Sequence, residues 1–300
     1  MAAIANKEHF HELVGRSARV EKLGTGFTFT EGPVWNQSGK FLLFSDMPGD
    51  VRRRWDASGI KEVARPSNKG NGMTYEIDGS LLICEHATSA LVRLGADGKR
   101  EVVASHFEGK ELNSPNDVVV AADKSIYFSD PSYGRMPVFG VERKQDLAFQ
   151  GVFRVQASGR NLQLLASDFE QPNGLCFSPD GSLLYVNDSS RAHIRIFKVA
   201  QNGTIDAGAV FFDHIGTGAI EEGIPDGMKC DAEGNIYVTG PGGIWVISPK
   251  AELLGRIAVP ENVGNLNWGG PDWKRLFICA STSLYKIDLA VSGNRLSYMH

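Results

Sequence analysis

Residues 173–188, NGLCFSPDGSLLYVND, run as a polar residue and a glycine, a short apolar stretch, a Pro-Asp-Gly-Ser turn, and a second apolar stretch closed by an acid. Short apolar runs bounded by turn formers read as buried strands, and the Asp-Gly centre suits a reversal between them. The same pattern stands at five other places. These are EGPVWNQSGKFLLFSD from Glu31, NGMTYEIDGSLLICE from Asn71, NDVVVAADKSIYFSD from Asn116, DGMKCDAEGNIYVTG from Asp226 and NLNWGGPDWKRLFICA from Asn265. Their starts lie 39 to 57 residues apart, the range of four-stranded propeller blades. Two further strand-like runs follow each copy, for example Val51–Trp55 and Ile60–Ala64. Twenty-four short strands thus account for nearly the whole chain. A further run, Ala18–Leu23, falls outside that count and is expected to pair with the last blade and close the ring.

The reading is an all-β, six-bladed β-propeller with a short N-terminal helix. Residues 1–16 form a helical extension, with Asn6 as its cap, Phe10, Leu13 and Val14 on one face, and Gly15 as its stop. Residues 17–300 form a single propeller catalytic domain. Composition agrees: of 300 residues 42% are hydrophobic and 22% charged, which excludes wholesale disorder, and the 34 glycines are spread along the chain as many tight turns require. No apolar run is long enough for a membrane helix. The net charge of −4 and the lack of a basic stripe argue against nucleic acid. Cys84, Cys176, Cys230 and Cys279 are far apart, without a C-x-x-C pair, and read as buried thiols. With no secretory signal at the N-terminus, a cytoplasmic location is expected.

In a blade the innermost strand lines the central channel and the second returns beside it. The residues opening the first strands therefore meet on one face: Glu31, Asn71, Asn116, Asn173, Asp226 and Asn265. The residues closing the second strands, among them Asp46, Glu85, Asp130 and Asp188, lie behind them. Two carboxylates and four carboxamides around one narrow axis suit a divalent cation, because unpaired buried carboxylates are costly. All-oxygen donors without His or Cys select a hard ion, calcium first, with Mg2+, Mn2+ or Zn2+ as substitutes. The two longest loops, Pro131–Gln150 and Asp213–Pro225, rise over the same face. His86, directly after Glu85, and Tyr133, at the start of the first long loop, are placed to contact a ligand. No G-x-S-x-G elbow, Walker loop, G-x-G-x-x-G or H-E-x-x-H occurs.

FTEGPVW at 29–35, FSDMPGD at 44–50, CEHAT at 84–88 and LNSPNDVVV at 112–120, followed in order by QPNGLCFSPDG, PDGMKCDAEGNIYVTGPGGIWV and NWGGPDW, resemble the senescence-marker-protein/gluconolactonase/luciferin-regenerating-enzyme family, in its gluconolactonase-like branch. The resemblance spans about residues 10–298. It implies a six-bladed propeller with an axial divalent cation, commonly calcium, and hydrolysis of sugar lactones. Carried over by motif, the metal ligands are Glu31, Asn116, Asn173 and Asp226. Two departures stand out: Ser89-Ala90 replace an Arg pair common after the Glu-His, and Ser114 replaces an Arg found two residues before the Asn in regucalcin-like members.

The expected activity is metal-dependent opening of a sugar lactone or related small lactone. Asp226 is the candidate general base as well as a ligand, and Asn71, His86, Asn116, Tyr133 and Asn265 are the candidate substrate contacts. A phosphotriesterase on the same metal site is the nearest alternative. A non-catalytic propeller binding a protein partner is another, favoured by an apolar upper face, whereas the ring of polar residues suggests a polar funnel. The sequence sets no oligomeric state.

Overall fold

The computed structural model describes residues 6–295. Six four-stranded antiparallel sheets follow one another around an axis. The inner strands are Thr30–Asn36, Gly70–Tyr75, Val118–Val120, Pro172–Phe177, Met228–Cys230 and Val263–Gly269. Each of the six repeats supplies the inner strand and second strand of one blade. The runs expected to complete the first blade are strands Val51–Asp56 and Gly59–Ala64.

The closing strand runs Glu21–Thr25 and pairs antiparallel with Ser283–Asp288, joining Glu21 to Lys286 and Thr25 to Ser283. It is the fourth strand of the sixth blade and so belongs within the twenty-four rather than outside them. A separate two-stranded hairpin, His106–Phe107 with Lys110–Glu111, was not expected from the repeat. The helix spans Lys7–Val14, with the Asn6 side chain accepting from the His9 N–H and Gly15 ending it at φ 90°. Leu13 and Val14 are buried, and Phe10 packs on Gly255 in an outer strand of the fifth blade.

Hydrophobic contacts run between blades rather than through a single centre: Trp35 stacks on Phe277 across the first and sixth blades, and Tyr237 meets Trp268 edge-on across the fifth and sixth. All four cysteines are free and buried. Among the described residues no helix is long and apolar enough to cross a membrane.

The inner strands do more than line the channel. Their ladders shift register at Glu31/Val34, Gly70/Met73 and Pro172/Leu175. Bulges there turn the backbone toward the next blade and re-aim the opening side chains. Glycine makes this approach feasible: a Cβ on Gly32 would lie 1.9 Å from the Asn71 carbonyl, and one on Gly174 would lie 2.1 Å from that of Asp226. In the third and fifth blades the regular strand begins only at Val118 and Met228, so Asn116 and Asp226 precede it.

Candidate active site

At the upper end of the channel lies a cavity of about 500 Å³. Its floor carries Glu31, Asn71, His86, Asn116, Asn173 and Asp226, and Tyr133 reaches in from the long loop. Five of the six opening residues thus converge. The sixth, Asn265, lies outside the lining: its Nδ2 donates to Glu31 Oε2 at 3.0 Å and its Oδ1 accepts from the Leu266 N–H. The structure places it as a holder of Glu31.

The floor is a chain of carboxamides. Asn71 Nδ2 donates to Asn116 Oδ1 at 2.7 Å, Asn116 Nδ2 to Asn173 Oδ1 at 2.5 Å, and Asn173 Nδ2 to Ser189 Oγ at 3.1 Å. Asn71 Nδ2 also reaches His86 Nε2 at 3.2 Å. His86 Nδ1 lies 2.9 Å from the Phe139 carbonyl and Nε2 lies 3.0 Å from Asn116 Oδ1, so each ring nitrogen faces an acceptor and one proton can serve only one of them. Burial pushes this imidazole down to about 4, so it is neutral. Tyr133 has its hydroxyl within reach of Ser189 and Asn173, and burial raises it.

Asp226 is fixed through its backbone. Its N–H donates to Thr239 Oγ1 at 2.7 Å, and its carbonyl accepts from Gly174 N at 3.0 Å and Asn187 Nδ2 at 2.6 Å. The carboxyl is raised well above its ordinary value by burial first, then by the charges of Glu31 and Asp117. Burial likewise pushes Glu31 up to about 7, against the hydrogen bonds from Asn265 and Gly32. Two carboxyls therefore share a desolvated floor and oppose each other's ionisation.

The closing acids set the opening residues in place. Asp46 accepts from the N–H groups of Thr28 and Phe29, Asp130 from Asn113 and Ser114, and Asp188 from Glu170 and Gln171. In each case the donors stand three and two residues before Glu31, Asn116 or Asn173. Glu85 differs: its carboxylate pairs with Arg100 at 2.6 Å, and Asp50 takes the N–H groups of Ser67 and Lys69 in its place.

Both long loops border the cavity. The first is pinned rather than loose. Arg135 donates to the Asn113 and Leu112 carbonyls and to Glu111, Lys69 Nζ holds the Val138 carbonyl at 2.9 Å, and Phe139 meets Phe29 edge-on at 5.8 Å. At the departures noted above, Ser89 receives a hydrogen bond from Arg143 of this loop, and Ser114 Oγ donates to the Pro131 carbonyl. The funnel above the floor is not the polar one expected from the ring. Phe29, Met47, Met136, Phe139 and Ile220 line it from connections the repeat does not specify, Val263 joins them from the start of an inner strand, and Gln171, Ser190, Glu221, Asn262 and Ser281 add polar groups.

The donor set suits a hard cation. Asn71 Oδ1 is buried without a partner, no basic side chain answers Asp226, and the remaining convergent groups are mostly oxygens. Among the described residues no three His, Cys, Asp or Glu side chains group around a shared point, so carboxamide oxygens have to complete any such shell.

The SMP-30/Gluconolactonase/LRE-like region matches residues 29–282. The chain belongs to this family. A gluconolactonase of Zymomonas mobilis is 31% identical, the match covering 92% of this chain and 83% of that protein. A crystal structure of a protein assigned as a gluconolactonase shares 33% identity and a TM-score of 0.89, covering 97% of this chain and 98% of its own. A gluconolactonase from Xanthomonas campestris shares 30% identity and a TM-score of 0.86, with 95% and 94% coverage. The chain is a propeller-fold hydrolase related to these lactonases.

Proposed function

We propose that the protein opens a small lactone to its hydroxy acid with the help of a divalent cation, calcium by preference, held by Glu31, Asn116, Asn173 and Asp226. The observation that carries this reading is the pair of desolvated carboxyls, Glu31 and Asp226, on one floor of carboxamides, neither of them in an ion pair among the described residues. Zymomonas mobilis gluconolactonase and its Xanthomonas campestris counterpart support a sugar lactone or a close analogue as the substrate class. A calcium ion in this shell supplies Lewis-acid polarisation of the lactone carbonyl.

The chain's own groups do the rest. Asp226 takes a proton from the attacking water; a carboxylate that gives one oxygen to a cation keeps the second free to act as the base. The water oxygen bonds to the carbonyl carbon, the bond from that carbon to the ring oxygen breaks, and Asp226 returns the proton to the departing alkoxide. His86, neutral, lines the floor with Asn71, Asn116 and Tyr133, and these four side chains are the substrate contacts. Asn265 acts through Glu31. Enclosure in a cavity rather than on an open face supports a small molecule over a protein partner.

The test is Asp226→Asn at calcium concentrations where binding, measured directly, is complete. Hydrolysis of D-glucono-1,5-lactone is expected to fall by about 100-fold or more and not to recover, while Asn173→Ala recovers under the same condition. Full rescue of Asp226→Asn would leave Asp226 a ligand only. Activity unchanged after verified removal of metal would end the cation-dependent reading.

A further inference from the structure

We infer that the upper half of the cavity is a subsite for an apolar substituent, so that the preferred substrate is a lactone carrying an alkyl or aryl group rather than a fully hydroxylated ring. This rests on the lactonase reading above. The floor and the walls differ in chemistry: every floor side chain can hydrogen-bond, whereas Phe29, Met47, Met136, Phe139, Ile220 and Val263 cannot, and they share the rest of the lining with a minority of polar groups, among them Gln171, Glu221 and Asn262. A cavity of about 500 Å³ exceeds what a single small ring fills, so a ring seated on the floor leaves the walled space to whatever the ring carries. Hydroxyls placed against these six side chains face carbon, and each one left unpaired costs about ten-fold in affinity. Carbon placed there removes apolar surface on both sides from water.

The walls also hold their shape. Phe139 is fixed by its edge-on contact with Phe29 and by its carbonyl, 2.9 Å from His86 Nδ1, which ties the apolar wall to the polar floor. At the rim Met136 and Ile220 are 40% and 61% exposed, one from each long loop. Exposed apolar side chains on both sides of a mouth gain cover when an apolar group passes between them.

The experiment compares γ-butyrolactone, γ-valerolactone, γ-octalactone and γ-decalactone with D-glucono-1,5-lactone, in the calcium-loaded protein. The expected result is kcat/KM rising about three-fold per methylene along the alkyl series, with γ-octalactone surpassing the gluconolactone. Met136→Gln and Ile220→Gln should each reduce that slope, while Val210→Gln, exposed on an outer strand of the fourth blade, should leave it unchanged. A flat or falling series with the gluconolactone readily opened would overturn the subsite and leave the lactonase reading intact. If no lactone is opened, the lactonase reading fails. Calorimetry with the matching γ-alkyl lactams then decides the subsite separately: affinity that grows with chain length supports it, and affinity indifferent to chain length overturns it.

Discussion

The two ends of the central channel treat buried carboxylates in opposite ways. At the upper end Glu31 and Asp226 share a floor with carboxamides and a neutral imidazole, and among the described residues neither is held in an ion pair, Lys229 acting on Glu31 through its charge alone. One residue beyond Asn116, Asp117 is equally buried, yet it meets Lys229 at 3.2 Å and accepts from the Val118 N–H. Below that pair the channel is mostly apolar, with Val118, Cys176 and Trp268 around a void of about 60 Å³. The chain thus neutralises its own charge where no ligand enters and withholds a counter-charge where one does. On the proposed reading, the charge missing from that floor is the one a cation would bring.

That contrast can be broken from the compensated side. Lys229→Met leaves Asp117 buried and unpaired, and urea denaturation should show a loss of about 3–5 kcal/mol. The double variant Asp117→Asn/Lys229→Met should recover most of it. A single variant as stable as the parent would mean that Lys229 is not the counter-charge.

The uncompensated side is expected to respond to added ions instead. Calcium at 100 times its dissociation constant should stabilise the stripped protein by about 2.7 kcal/mol, read as a rise in melting temperature that grows with the logarithm of excess ion. Glu31→Gln should shrink that rise and the double variant at Asp117 and Lys229 should keep it. A melt indifferent to chelator and calcium would erase the distinction between the two ends.

The smallest effect concerns a carboxyl outside the channel, where hydrogen bonds replace a counter-ion. Asp231 accepts from Glu233 N, Asn235 N and Asn235 Nδ2, yet burial still pushes it up to about 6. Its folded value exceeds its unfolded one, so the folded state holds more protons between about pH 4 and 6. Stability should therefore fall as pH rises through that window, by roughly 1–2 kcal/mol. Asp56 and Glu261, held down to about 2 by hydrogen bonds from Ser58 and from Ser283, Tyr285 and Thr282, act with the opposite sign, and their contribution is lost as pH falls from about 4 toward 2. Denaturation at pH 5 and 7.5 should show the slope, to which Glu31 and Asp130, pushed by burial up to about 7, add with the same sign, and Asp231→Asn should reduce it by its own share.

What could be read from the residues follows from what repeats. The blade motif recurs in sequence, so the six sheets, the closing strand and five converging floor residues were all legible, as was the helix from Asn6, Phe10 and Gly15. The partnership of Asp117 with Lys229 was not, because the two lie in different repeats and no local pattern links them. The apolar walls were hidden for the same reason: Phe29, Phe139 and Ile220 come from three separate connections, and loops carry no periodicity from which to infer a neighbour. Asn265 shows the limit of reading equivalence from position. It occupies the sixth place in the ring, but a shift of register at Val263/Asn265 and the close approach of Gly227 turn its amide onto Glu31.

The pairing of Glu21–Thr25 with Ser283–Asp288 also has a kinetic consequence. Strands from near opposite ends of the described chain share one sheet, so the sixth blade cannot be completed during synthesis until almost everything else has left the ribosome. Closing so long a loop is entropically slow, and the early strand has to wait with an open edge. Maturation of the ring therefore has a definite last step, and the pairing of these strands is where a nascent chain becomes either a finished propeller or a template for another chain's edge.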